Sequence, residues 1–149
     1  QAMASVCEEA EKHMAASDHE YDGSHSHLPR IDQAIAASAL HAAALVGAKA
    51  IVALTDSGST ALWMSRRRIG IPIYALTPRV ATQRKMALYR NVIPMLMDTS
   101  ADRDEALRQA ESCLLRHGVV SQGDIYAITC GEPMGAPGGT NMLKISRVG

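Results

Sequence analysis

The sequence contains no phenylalanine, and aromatic residues are only 3% of its 149. Its core therefore has to be filled by Ala, Leu, Ile, Val and eight methionines, at an overall hydrophobic content of 47%. There is no excess of charge: Lys and Arg number 15, as do Asp and Glu. Zero net charge argues against a nucleic-acid-binding or membrane-surface protein, for which a basic excess is expected. No apolar run approaches the roughly 20 residues of a membrane-spanning helix. The opening Gln1-Ala2-Met3 has no basic segment followed by an apolar stretch, so no signal peptide is expected. Cysteine is scarce, and Cys7, Cys113 and Cys130 are widely spaced and odd in number. That pattern predicts reduced thiols in a cytoplasmic protein rather than a disulfide scaffold.

Residues 2–16 place Met3, Val6, Cys7, Ala10 and Met14 at helical spacing, with no capping signal before them. Such a start suggests a piece of something longer. Residues 17–29 lack periodicity and read as a surface loop. His19, His25 and His27 lie in it, with no cysteine nearby and no second cluster of ligand spacing, so solvated histidines are expected and not a metal site. The core is expected over 30–149 and the whole chain, 1–149, as one domain.

The run Ala50 to Leu54 is unbroken and apolar, as in a strand buried on both faces. Thr55-Asp56-Ser57-Gly58-Ser59-Thr60 follows, and Ala61-Leu62-Trp63-Met64 then opens a helical pattern. A helix N-terminus carries unpartnered N–H groups and partial positive charge, so a strand, a Gly turn and a helix start can receive an anion. The hydroxyls of Thr55, Ser57, Ser59 and Thr60 add donors, and Gly58 lets the chain wrap closely. The plainer reading is a helix cap by Asp56, Ser57 or Ser59. The residues alone leave both open. No Gly-Lys-Ser/Thr follows and only one glycine is present, which excludes a Walker A loop and a dinucleotide fingerprint.

Asp32 is predicted to cap a helix over 33–46 that ends at Gly47, with His41 inside it as a satisfied or half-buried structural residue and much of its surface covered. Further strands are expected at 71–76, 92–97, 124–129 and 140–148. Helices are expected after the central strand (ending in Arg66-Arg67-Arg68), at 79–89 and at 101–117. Asn91 suits a left-handed position. The alternation predicts a three-layer αβα sandwich on a five-stranded, mostly parallel sheet. The last two strands are joined by the Gly/Pro loop 130–139 without a helix, so the last strand should be antiparallel.

Three stretches together resemble the C-terminal α/β domain of bacterial-type pyruvate kinase. Thr55 to Thr60 fits that family's Thr-x-Ser-Gly-x-Ser/Thr loop. The stretch Ala75-Leu76-Thr77-Pro78, Thr82, Arg84, Leu88-Tyr89-Arg90, Val92 and Pro94 resembles its second signature, with Asn91 in place of the usual Gly. Gly118, Gly123-Asp124 and Pro137-Gly138-Gly139-Thr140-Asn141-Met142-Leu143-Lys144-Ile145 are similar to its C-terminal end.

The resemblance implies a regulatory, effector-binding and oligomerising domain of an enzyme that transfers phosphoryl from phosphoenolpyruvate to ADP in glycolysis. The chemistry belongs to a (β/α)8 barrel with Mg²⁺ and K⁺. That barrel is not in this chain, so no catalytic residue is carried over and no cofactor is expected here. The effector phosphate pocket maps onto Thr55, Ser57, Gly58, Ser59 and Thr60, with Gly135, Gly138 and Gly139 as a second loop. Expected partners are a sugar monophosphate or AMP, the barrel, and further copies of the chain. Asp56 stands where sugar-bisphosphate-regulated members can carry a basic residue. A carboxylate about 6 Å from a phosphate costs about 3 kcal/mol at an effective dielectric of 20. The loop 131–138 has no Arg or Lys, which favours one phosphate over two. The competing expectation is a structural assembly module whose Ser/Thr loop only caps a helix. A free-standing small-molecule-binding or hydrolytic protein ranks third, since no nucleophile arrangement is seen.

Overall fold

A computed structural model describes residues 30–98, 102–136 and 138–149. The helix expected over 2–16 and the loop with His19, His25 and His27 lie outside the described residues. The elements are α1 (Ile31–Val46), β1 (Ala50–Leu54), α2 (Ser59–Ser65), β2 (Ile73–Thr77), α3 (Val80–Met86), β3 (Val92–Leu96), α4 (Arg103–Arg116), β4 (Ile125–Gly131) and β5 (Thr140–Arg147).

The strands form one sheet in the order β3-β2-β1-β4-β5. The first four are mutually parallel, and β5 runs antiparallel to β4, Ile125 facing Arg147 and Thr129 facing Leu143. The α/β architecture expected from the alternating pattern is thus the one observed. β1 is buried along its whole length, as its unbroken apolar run predicts. Its side chains alternate between two cores. Ile51 and Ala53 join Ile73, Ala75 and Ala127 beneath α1, α2 and α3, through Ala36, Ala39, Ala43, Ala61, Met64 and Met86. Ala50, Val52 and Leu54 join Tyr126 and Ile128 on the other face, beneath Ala106, Leu107, Ala110 and Leu114 of α4. Helices on both faces make the three layers. Alanine supplies most of the α1 interface, which is how a chain without phenylalanine fills its core.

Two left-handed positions are where the residue types put them: Gly47 closes α1 at φ 66° and Asn91 precedes β3 at φ 58°. The Asn91 amide also donates to the carbonyls of Ile69 and Ile71, at 3.1 and 2.7 Å. Three local expectations are corrected. The N-cap of α1 is Arg30, and Asp32 sits inside the first turn with its carboxylate buried. The half-buried alternative for His41 does not hold, since it is exposed on the outward side of α1. That side is not covered by the described residues either: Ile31 and Leu45 are 70% and 74% exposed.

Candidate functional site

β1 is flanked by β2 on one side and β4 on the other, so chain direction diverges at its carboxyl end. The loop after β1 leads to α2, and the loop after β4 returns as β5. In open α/β sheets a crevice forms at such a switch point. Here it is lined by Thr55, Asp56, Ser59, Gly131, Gly135 and Gly138, among others, and its cavity is about 30 Å³. That is room for a water or two.

The turn at 55–60 is held from within. The Thr55 hydroxyl accepts the Gly58 N–H at 2.9 Å, and the Ser57 hydroxyl accepts the Ser59 N–H at 3.4 Å. The N-cap of α2 is Gly58, at φ 84°, and not the expected Asp56, Ser57 or Ser59. A side chain at Gly58 would be strained there, and its Cβ would meet Met86 Cγ at 3.1 Å. Thr60 is turned inward: its hydroxyl lies 2.7 Å from that of Thr140.

Four side chains from other elements converge on this turn. Arg79 donates through Nε to Asp56 Oδ1 at 2.9 Å, and Lys85 Nζ donates to the Ser57 carbonyl at 2.7 Å. Thr82 donates to the Asp56 carbonyl at 2.9 Å. On the other side, Asp32 Oδ2 accepts the Ser59 hydroxyl at 3.4 Å and Arg30 Nη2 at 2.8 Å. Arg30 also leans on the second loop, since a Cβ at Gly138 would lie 2.8 Å from Nη2. Three cations, Arg30, Arg79 and Lys85, thus face two carboxylates, Asp32 and Asp56. Lys85 forms no ion pair among the described residues.

The second loop is braced by Asn141, which accepts the Glu132 N–H at 2.9 Å and donates to the Glu132 carbonyl at 2.8 Å. Gly139 donates to the Ala136 carbonyl at 3.0 Å, and a Cβ on it would stand 2.9 Å from that same oxygen. Gly135 and Gly138 line the crevice while Gly139 closes the turn behind it. A wider cleft of about 310 Å³ lies along α4, but its walls are Met97 and long side chains of one helix. Two of these, Glu105 and Arg108, are already paired at 2.6 Å.

Residues 33–146 match the family described as "Pyruvate kinase, alpha/beta domain". This chain belongs to that family. It is similar to pyruvate kinase II of Salmonella typhimurium, 39% identical over 150 residues, covering 99% of this chain and 31% of that protein. It is 37% identical over 147 residues to the pyruvate kinase of Buchnera aphidicola subsp. Baizongia pistaciae, covering 98% of this chain and 30% of the relative. The chain therefore spans less than a third of these relatives. A crystal structure of a pyruvate kinase from Cryptosporidium parvum has the same fold, with a TM-score of 0.73 over 82% of this chain and 23% of that one, at 24% identity.

Thr55 to Thr60, the turn at the switch point, lies within the residues that match the family. Among the described residues no three His, Cys, Asp or Glu side chains converge on one point. No described helix is long and apolar enough to cross a membrane. Arg30, Arg79, Lys85 and Asn141 are absent from the sequence-derived site. Lys85 lies in the helix expected at 79–89, and nothing local in a sequence says where a helix points.

Proposed function

We propose that this domain is the regulatory module of a cytoplasmic pyruvate kinase, binding a phosphomonoester effector at the turn 55–60. The observation that carries this reading is the convergence of Arg79 and Lys85 from α3 on that turn. Asp56 would repel a phosphate, but its carboxylate is held by Arg79 at 2.9 Å. With Asp32 paired to Arg30, the cluster keeps one net positive charge, on Lys85. The hydroxyls of Thr55 and Ser57 accept bonds inside the turn, and each retains a proton to donate. Thr60 contributes its N–H rather than its hydroxyl. A single anion suits this charge, so a sugar monophosphate or AMP is favoured over a bisphosphate.

The cleft as it stands, about 30 Å³, is too small for such a ligand. The ligand's phosphate sits at the mouth, over Ser57 to Thr60, and the Gly-containing loop 131–139 moves outward to admit the rest. The enzymatic step itself, phosphoryl transfer from phosphoenolpyruvate to ADP, belongs to the barrel of a longer polypeptide. Copies of the domain associate through the β5 edge, which is paired on one side only and carries the half-exposed Ile145.

A second reading has its own observation: the bonds of Thr55 and Ser57 close the turn on itself, as a purely structural helix entry would. Calorimetric titration with AMP and with a hexose monophosphate separates the two. Effector binding predicts micromolar to millimolar affinity, abolished by Ser57→Asp, which places a fixed negative charge at the phosphate. Undetectable binding by the wild type, or equal binding by Ser57→Asp, leaves the cap reading.

A further inference from the structure

Asp32 is a buried carboxylate with no part in the proposed phosphate contacts, and it is fully engaged. Its Oδ1 accepts Arg30 Nε at 3.0 Å and the Gln33 N–H at 3.0 Å. Its Oδ2 accepts Arg30 Nη2 at 2.8 Å and the Ser59 hydroxyl at 3.4 Å. Two bonds at each oxygen use the acceptor sites that a carboxylate has. The paired bonds from Arg30 fix the plane of its guanidinium. Gly138 rests against that plane, where a Cβ would stand 2.8 Å from Nη2 and 3.9 Å from Asp32 Oδ2. Ser59 and Gly138 line the crevice from its two loops.

We infer that Arg30 and Asp32 form a clamp across the crevice, which sets how readily it opens and carries that opening to the point where the chain enters α1. Arg30 is the N-cap of α1 and the residue on which Gly138 rests. Asp32 holds the guanidinium on one side and Gly138 confines it on the other. When Gly138 moves outward, only Asp32 holds the guanidinium, and the backbone at residue 30 gains freedom with it. By linkage the reverse holds: a displacement of residue 30 unseats Gly138. Arg30 and Asp32 stay paired throughout, since a buried carboxylate without a cation is costly.

The pair is neutral, so the clamp acts through position and not through the charge of the crevice. Its use in regulation rests on effector binding at the turn 55–60; its grip on Ser59 and Gly138 does not.

The test replaces both members in the full chain, Arg30→Gln with Asp32→Asn, so that no buried charge loses its partner. Without ligand, amide hydrogen exchange is read at Gly139, whose N–H donates to the Ala136 carbonyl at 3.0 Å. Exchange there should quicken about tenfold in the double variant, while exchange in β1 stays as in the wild type. Gly138→Ala, whose Cβ presses on Arg30, should shift the Gln33 amide resonance far more in the wild-type background than in the double variant. With ligand, calorimetry should show the double variant binding AMP about three- to tenfold more tightly, because less binding energy goes into opening the crevice. Unchanged exchange at Gly139, or an equal quickening in β1, overturns the inference. So do equal Gln33 shifts in both backgrounds, or AMP affinity in the double variant no higher than in the wild type. If the wild type binds no AMP, the effector reading fails instead, and the exchange and Gly138→Ala measurements still decide the clamp.

Discussion

The hydroxyl of Thr60, in the first turn of α2, lies 2.7 Å from the hydroxyl of Thr140, the first residue of β5, and both are buried. This contact bridges the two loops that diverge at the switch point. It ties the turn 55–60 to the loop 131–139 independently of any ligand. Removing one hydroxyl leaves the other buried without its partner, at about 1–3 kcal/mol. Thr60→Val should therefore lower the urea unfolding free energy by that amount. The double variant with Thr140→Val should recover part of it, as a coupled pair does. Additive losses would mean the two hydroxyls do not depend on each other.

Gly58→Ala tests the turn itself. Left-handed backbone is disfavoured for alanine by roughly 1–2 kcal/mol. The new Cβ would also press on Met86 Cγ at 3.1 Å. Urea unfolding should show a loss of about 1–3 kcal/mol, and a neutral result would mean that the turn relaxes freely.

Lys85→Gln should weaken phosphomonoester binding about three- to tenfold, roughly one charge-assisted contact, without lowering stability comparably. Arg79→Gln should act on the same binding by exposing the Asp56 carboxylate. Replacing His25 and His27 together should leave affinity unchanged. Calorimetry on the four proteins checks all three statements.

Tyr126 gives a pH prediction. Burial, reinforced by the hydrogen bond from its phenol to Glu111 at 2.6 Å, raises its pKa well above the ordinary tyrosine value. Below about pH 10 the phenol is protonated folded and unfolded, and stability has no slope from this group. Above that value the unfolded chain releases the proton first, so stability falls as pH rises. Tyr126→Phe should remove that alkaline loss, measured as the urea midpoint against pH. An unchanged slope would place the titration elsewhere.

Light scattering at high micromolar concentration should give twice the chain mass, reduced to the single-chain mass by Ile145→Lys on the β5 edge. A single-chain mass for the wild type would contradict association through this domain.

The mostly parallel five-stranded sheet and its antiparallel final strand were legible because their causes are local, whereas the order of the strands was not read from the sequence. An apolar run with no polar break marks β1, and a Gly/Pro loop too short on helical pattern joins β4 to β5. Gly47 and Asn91 were legible for the same reason, since left-handed backbone selects residue type at that very position. Asp32 misled because an Asp before an apolar run is an N-cap signal, while its actual partners are Arg30 and, 27 residues away in sequence, Ser59. The cations that dress the turn were hidden likewise. Arg79 and Lys85 reach Asp56 and Ser57 only once α3 is laid against β2 and β3, and that packing has no local signature.

The central claim is that the turn 55–60 receives a phosphate. It is tested most directly by following backbone amide resonances while AMP and, separately, a hexose monophosphate are titrated to millimolar concentration. The account predicts saturable shifts at Ser57 to Ala61, with smaller ones at Gly135, Gly138 and Gly139 as the second loop moves. Shifts confined to the α4 cleft around Arg108 and Arg116, or no shift at the turn with either ligand, would contradict it.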